Sequence, residues 1–345
     1  MSSEGPLWNI AMDEQSAWWK EHFPGPDFRY KQVRDWVFKK HVLDAQHMNN
    51  LPQDLRAELG RRSAAVLAPV ERQVSSAGEA DKFVFKCHDD SRLESVLLRS
   101  DKRRTVCLST QVGCALACTF CHTGLMGFKR NLSVAEMVEQ VLQVAAGEDQ
   151  RISNIVVMGM GEPFLNYENL MTALRIINAP EGLGLGARNI TISTSGIKGG
   201  ILKLAAEPEQ WGLAVSLHAA NDALRTSLMP INKSLSLKNL MEEVQAYVGQ
   251  TKRRVSFEYI LLQGVNAGRE QAAELAALLR GRLCHVNLIP YNPVPTLPFA
   301  PAARKAIQEF QDVVVEAGIP CTVRIEKGQD ILAACGQLAH KTVHG

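Results

Sequence analysis

The sequence predicts an α/β protein built on a largely parallel sheet, curled into a partial or full barrel, with a small companion domain. Three observations lead there. From about residue 104 onward, short β-branched runs alternate with amphipathic stretches, the pattern of repeated β-α units. Apolar residues make up 46% of the 345-residue chain, enough for one large core and a modest second unit. Three closely spaced cysteines, Cys114, Cys118 and Cys121, follow directly on the first of the β-branched runs. In barrels of β-α units, chemistry gathers at the C-terminal ends of strands.

Residues 1–65 read as a helical module. Helices are expected at Trp8 to His22, Asp27 to Lys40 and Met48 to Leu59. In the second, Phe28, Val33, Trp36, Val37 and Phe38 fall near helical spacing. The module carries nine basic and nine acidic side chains, so it is not a basic tail. Residues 66–103 change character. The run Lys82 to Cys87 alternates polar and apolar residues, His88 to Ser91 makes a turn, and Arg92 to Arg99 forms a second strand, giving a β-hairpin linker.

Residues 104–345 carry the rhythm of strand and helix. The strands expected are Thr105–Ser109, Ile155–Met160, Ile190–Thr194, Leu213–His218, Val255–Leu262, Val286–Pro290 and Thr322–Ile325. Ser133 and Glu136 form a capping box that opens a helix running to about Ala146. Further helices are expected at Tyr167 to Ile177, Leu237 to Tyr247, Glu270 to Leu279 and Ala303 to Ala317. The glycines at 182, 184 and 186 read as an αβ loop and not as a dinucleotide fingerprint.

Charge decides little. The net charge is +2 and the pI about 8.1. Lys102-Arg103-Arg104, Lys129-Arg130 and Arg61-Arg62 are either solvated surface or phosphate contacts. The start of the chain lacks the charged and apolar regions of a secretory signal, and no apolar run reaches membrane-spanning length. Eight cysteines, three of them clustered, suggest metal or catalytic chemistry in a reducing compartment. A cytoplasmic protein with no membrane partner is the expectation.

The C-x3-C-x2-C run offers three thiolates and no fourth. A closed structural zinc site or a fully protein-ligated iron–sulfur cube needs four ligands. Three leave one metal corner open to a cofactor or substrate. Soft thiolates select zinc, copper(I) or iron–sulfur; the open corner favours a [4Fe–4S] cluster, with a zinc site completed by His122 or a remote residue as the alternative. At the end of the second strand, the run Met158 to Pro163 carries two glycines and Glu162. Glycines let backbone come close to a ligand, and a carboxylate can accept from an ammonium group. Taken singly, other residues have plain readings. Cys107 suits a buried strand position, Cys335 a free thiol near the C-terminus, Glu94 an exposed strand carboxylate, His218 a strand-end histidine and Ser193 a loop cap. Cys87, Cys284 and Cys321 read as core or surface thiols.

Together these motifs make a pattern. The three-cysteine run, with Phe120 before its last cysteine, and the glycine-rich turn ending in Glu162 resemble radical S-adenosylmethionine (SAM) enzymes. Cys107-Leu-Ser-Thr-Gln-Val-Gly-Cys114, Gly127-Phe-Lys-Arg-Asn-Leu132, Ser193-Thr-Ser-Gly196, Ser216-Leu-His218, Asn287-Leu-Ile-Pro-Tyr-Asn292 and Ala333-Ala-Cys-Gly-Gln-Leu338 resemble the RlmN/Cfr family of rRNA adenine methyltransferases, over roughly Phe28 to Leu338. The resemblance implies a partial (β/α)6 barrel and an N-terminal RNA-binding accessory domain. It implies a [4Fe–4S] cluster on Cys114, Cys118 and Cys121, and two SAM molecules per turnover. Gly161, Glu162, Ser193, Ser216, Leu217, His218 and Asn292 match SAM contacts. Cys335, on a C-terminal carrier segment, would accept a methyl group from one SAM. A radical made from the second would strip a hydrogen from that methyl group, and the carbon radical would add to adenine. Glu94 matches the proton acceptor. Cys107 would attack the sulfur of Cys335, release methylated RNA and leave a disulfide. The implied target is C2 of an adenosine in 23S rRNA and in tRNA, with C8 or another RNA adenosine site as the nearest alternative and a small-molecule radical SAM enzyme as a more distant one; the implied partners are RNA and an electron donor such as flavodoxin, and the implied state is a monomer. Two stretches depart from the pattern. Residues 323–330 are less basic than the family's, with Glu326 where phosphate would approach, and the cluster run continues His122-Thr-Gly-Leu-Met126.

Overall fold

The computed structural model describes residues 6–12 and 28–339. The first expected helix is seen as Leu7–Met12; its continuation to His22 lies outside the described residues. The second and third appear as Phe28–Phe38 and Gln53–Arg62. Trp8, Ala11, Tyr30, Val33 and Val37 are buried in this module, and the Tyr30 hydroxyl donates to Ala11 O at 2.6 Å, tying the first helix to the second.

Among the described residues, twelve strands follow: β1 (Leu67–Val74), β2 (Ala80–Cys87), β3 (Arg92–Ser100), β4 (Arg103–Cys107), β5 (Gln111–Gly113), β6 (Phe128–Asn131), β7 (Asn154–Val157), β8 (Ile190–Thr194), β9 (Gly212–Ser216), β10 (Val255–Leu261), β11 (Cys284–Pro290) and β12 (Cys321–Val323). Ten form one sheet in the order β1-β2-β3-β4-β7-β8-β9-β10-β11-β12, while β5 and β6 pair separately. The seven strands expected beyond residue 104 are β4 and β7–β12, and they are parallel. The first begins and ends two residues earlier than expected. Ile155, Val157, Ile192, Val215, Phe257, Val286 and Leu288 are buried among these strands.

Residues 66–103 are more than the hairpin linker expected. β1 precedes the hairpin, and β3 turns at Asp101-Lys102 to pair antiparallel with β4, so the segment extends the main sheet. The register Val96↔Cys107, Leu98↔Thr105 and Ser100↔Arg103 sets these six side chains on one face. The helix Val134–Ala145 opens with the expected capping box: Glu136 N donates to Ser133 Oγ at 3.2 Å and Ser133 N to Glu136 Oε2 at 2.8 Å. It buries Met137, Val138, Val141 and Leu142.

After β12 the chain runs back to the antiparallel strands. Ser76 N donates to Asp330 Oδ2 at 2.8 Å, Gly328 N to Glu79 Oε1 at 3.4 Å, and Lys327 Nζ to Arg99 O. The segment therefore links edge strand β12 to the β1–β3 end of the sheet. Among the described residues, no helix is long and apolar enough to cross a membrane.

Candidate active site

The three-cysteine loop is held at both ends. β5 and β6 pair so closely that a Cβ on Gly113 would lie 1.8 Å from Gly127 O, and Gly113 has φ +74°. Cys114 N donates to that same carbonyl at 3.0 Å. Thr119 N donates to Leu228 O at 3.0 Å, and the Phe120 ring meets the His218 ring edge-on at 4.8 Å. The three thiols line a cavity of about 150 Å³, together with Gly161, Glu162, Ser193, Ser216 and His218. Burial pushes the Cys114 thiol up to about 11 and raises those of Cys118 and Cys121 as well; the neighbouring cysteines reinforce this at Cys118. Thiols so desolvated ionise only beside a compensating positive charge, which a metal centre supplies. Among the described residues no three His, Cys, Asp or Glu side chains converge on one ion position. Three soft thiols around an open cavity, not gathered on a single ion, suit a cluster that takes each thiolate at a different iron.

The glycine-rich turn after β7 fills the next side. A Cβ on Gly159 would lie 2.5 Å from Ser109 Oγ, and one on Gly161, at φ +100°, would lie 2.5 Å from Gln111 Cβ. The Glu162 carboxylate does something other than the sequence suggested. It is buried and already accepts from Phe164 N at 3.1 Å, Thr194 Oγ1 at 2.7 Å and Ser195 N at 2.9 Å. It ties this turn to the end of β8, so mainly the turn's backbone is left to face a ligand.

At the ends of β8 and β9, Ser193 Oγ and Ser216 Oγ lie 3.4 Å apart. His218 is buried with φ +58°. Its Nδ1 accepts from Ile260 N at 3.0 Å, which leaves the ring proton on Nε2. Burial, with Arg225 adding, pushes its pKa down to about 3, so the ring is a neutral donor. Leu217 is buried and lines neither cavity; its backbone N donates to Glu258 O at 3.0 Å.

A second cavity, about 270 Å³, adjoins the first. Both are lined by Cys121, Met158, Ile289, Arg324 and Cys335. The second also takes in Cys107, Asn292 and the inner residues Val96, Leu98 and Thr105 of β3 and β4. Cys335 is held from two directions. Asn292 Nδ2 donates to Cys335 O at 3.3 Å, and Gln337 Nε2 to Pro293 O at 2.9 Å. His122 N donates to Gly336 O at 2.8 Å, and Thr123 Oγ1 to Leu338 O at 2.6 Å. The segment that bears Cys335 is thus bonded to the residues that follow Cys121.

Glu94 is buried, contrary to its plain reading, and lines neither cavity. Burial raises its pKa; Lys82 Nζ, 3.8 Å away, and the Ala339 backbone oppose the rise. Alternation along β3 puts it on the same face as Val96 and Leu98.

Two arginines were not singled out from the sequence. Arg225 is fully buried and donates to Ser195 O at 2.6 Å, Ser216 O at 3.2 Å, Leu217 O at 3.2 Å and Asn232 Oδ1 at 2.8 Å. It fastens together the ends of β8 and β9. Nothing local marks it, because its helix, Asp222–Leu228, is only two turns long. Arg324 lay inside a stretch noted only for its charge.

Comparison with known proteins agrees with this geometry. The radical SAM superfamily model matches residues 108–276, and the model of the ribosomal RNA large subunit methyltransferase N-terminal domain matches residues 14–65. Proteins described as probable dual-specificity RNA methyltransferase RlmN, from Bacillus mycoides and Bacillus thuringiensis, are each 45% identical over 97% of this chain and 93% of their own. A radical SAM methyltransferase from Sphaerobacter thermophilus, known from its crystal structure, superposes with a TM-score of 0.88 at 45% identity, covering 96% of this chain and 97% of that one. Fold and site together define a radical SAM enzyme, a class that uses SAM and an iron–sulfur cluster. Within that class the chain belongs to the RlmN family of RNA methyltransferases.

Proposed function

We propose that this enzyme methylates C2 of an adenosine in 23S rRNA, and in tRNA, using Cys335 as a methyl carrier and Cys107 to release the product. The observation that carries the reading is the placement of Cys335. It lines the cavity of the three cluster cysteines and also the adjoining cavity that holds Cys107. One thiol touches both the place where a radical would be made and the place where the product would be released.

The cluster fits Cys114, Cys118 and Cys121, and SAM fits the polar lining made by the Gly161–Glu162 backbone, Ser193, Ser216 and His218, with Asn292 on the adjoining cavity. When bound, they supply a one-electron cleavage that yields a carbon radical, the chemistry an unreactive ring carbon requires. The protein's own groups do the rest. Cys335 takes a methyl group from a first SAM, since a thiolate is the apt nucleophile. Asn292, His122 and Thr123 hold the backbone around Cys335 against the cluster loop. His218 offers Nε2–H to the cavity as a donor that does not charge near neutral pH. Glu94, buried and raised by that burial, is suited to receive the ring proton as the adduct's odd electron passes back to the redox partner that supplied it. Cys107 then forms a disulfide with Cys335, which a cellular reductant reopens. A stacked base hides its C2 edge, so the adenosine must leave the helix to reach the cavity, with the N-terminal module engaging RNA.

The test is Cys107→Ala protein purified from cells together with nucleoside mass spectrometry. The reading expects RNA covalently attached at Cys335 and loss of 2-methyladenosine in a deletion strain. RNA-free Cys107→Ala protein would refute the carrier mechanism. Loss of 8-methyladenosine in place of 2-methyladenosine would overturn the assignment to C2.

A further inference from the structure

We infer that Arg324 is a positioning residue for product release: its guanidinium, balanced by Glu258, holds the Cys107 sulfur ready to attack Cys335. This rests on the roles given above to the two cysteines.

Arg324 follows β12 directly, and its backbone N donates to Leu288 O at 2.8 Å. It lines both cavities beside Cys335. Among the described residues, no hydrogen bond or ion pair engages its guanidinium. The groups around it are Cys335, Glu258 and Cys107. Glu258, on β10, is 4% exposed. Its Oε1 accepts from Asn287 Nδ2 at 2.8 Å, while its buried Oε2 has no partner. A permanent cation with idle donors and a carboxylate with an idle oxygen therefore face the same interior. Leaving such groups unsatisfied costs stability, and a structure keeps them where they act.

The thiols give them a purpose. Burial pushes Cys107 up to about 12, with Cys335 adding to the rise and Arg324 opposing it. Release needs Cys107 as a thiolate. Starting from the adenine joined through a methylene to Cys335, the Cys107 Sγ–Cys335 Sγ bond forms and the Cys335 Sγ–methylene bond breaks. The electron pair passes to carbon, which takes a proton and becomes methyl. Two sulfurs are oxidised and one carbon is reduced. An arginine keeps its charge at any working pH, so it favours the attacking thiolate without consuming a proton. Each unit by which it lowers the thiol pKa raises the net attack rate roughly threefold, because thiolate fraction rises tenfold while intrinsic nucleophilicity falls.

The experiment compares wild type, Arg324→Gln, Arg324→Lys and Cys107→Ala, purified from cells. Covalently bound RNA and S-methylation of Cys335 are both measured by mass spectrometry. The expected result is S-methylated Cys335 in Arg324→Gln, with bound RNA raised severalfold over wild type and lowered again in Arg324→Lys. Arg324→Gln with S-methylated Cys335 and wild-type RNA content overturns the inference. So does Arg324→Gln lacking the S-methyl group, since Arg324 would then serve an earlier step. RNA-free Cys107→Ala instead removes the carrier reading beneath it. Should Arg324→Gln not fold, Glu258→Gln frees the guanidinium from its competitor, and alkylation of Cys107 by iodoacetamide should quicken. An unchanged or slower rate overturns the inference.

Discussion

Replacing Gly161 by alanine tests whether the turn after β7 is a rigid cradle. Gly161 has φ +100°, and an added Cβ would lie 2.5 Å from Gln111 Cβ and 2.9 Å from Gln111 N. The backbone conformation costs an L-residue about 1–2 kcal/mol. Forcing a methyl group against β5 costs about 1–3 kcal/mol more. The sum, roughly 2–5 kcal/mol, is below the usual stability of a folded domain, so the variant folds. At about 2.1 cal/mol/K per residue, 345 residues give an unfolding entropy of roughly 0.7 kcal/mol/K, and Tm falls by about 3–7 °C. The displacement also travels. Gln111 Oε1 accepts from Glu162 N at 2.9 Å, so moving Gln111 moves the backbone proposed to face SAM. Methylation should fall on the order of 100-fold. Gly78→Ala is the control: φ is +69° but nothing lies within 4 Å of the added Cβ. It should cost about 1 kcal/mol and retain activity. Thermal melts and RNA methylation assays on the pair decide. Equal melts and equal activities would refute the cradle.

Three further outcomes are expected. Ser133→Ala removes the Ser133 half of the capping box and should cost about 1 kcal/mol, read as a small drop in Tm without loss of activity. Burial raises Glu139 to about 7, although Val66 N and Leu67 N donate to its carboxylate at 2.9 and 3.0 Å. Between pH 4.5 and 7 the fold keeps a proton that the unfolded chain has lost, so this group favours folding at low pH, and the benefit fades as pH rises through 7. The stability of wild type relative to Glu139→Gln should therefore decline by about 1.4 kcal/mol per pH unit across that window, and chemical denaturation at several pH values would show it. His218 has the opposite sense: lowered to about 3, it refuses a proton that the unfolded chain takes up below 6.5, so acid weakens the fold through it. Its ring resonances should not titrate between pH 5 and 8, and a midpoint inside that range would remove its role as a neutral donor.

The parallel strands were legible because β-branched runs such as Ile190–Thr194 and Val255–Leu261 are buried and bounded by turns. The capping box was legible because Ser133 and Glu136 act within a single helical turn. β1 was not, since only Leu67 is buried along an otherwise largely exposed edge strand and no alternation marks it. β5 and β6 are three and four residues long and separated by the cluster loop, too short to show a period. Cys107 and Cys335 stood apart in sequence by more than two hundred residues, and only the family motifs paired them. What joins them is tertiary: the segment that bears Cys335 returns from β12 and bonds to His122 and Thr123. Arg324 and Glu258 escaped for the same reason: one follows β12 and the other lies on β10, and they meet only in the folded interior.

The central claim is that the methyl group passes through Cys335 and loses a hydrogen there. Reconstituted enzyme, incubated with RNA and SAM carrying a fully deuterated methyl group, tests it in one mass spectrum. Unlabelled S-methyl-Cys335 must first be excluded by using enzyme made without SAM. The account predicts a 2-methyladenosine whose methyl group holds two deuterons and one solvent proton. A methyl group with all three deuterons would mean direct transfer and would contradict it.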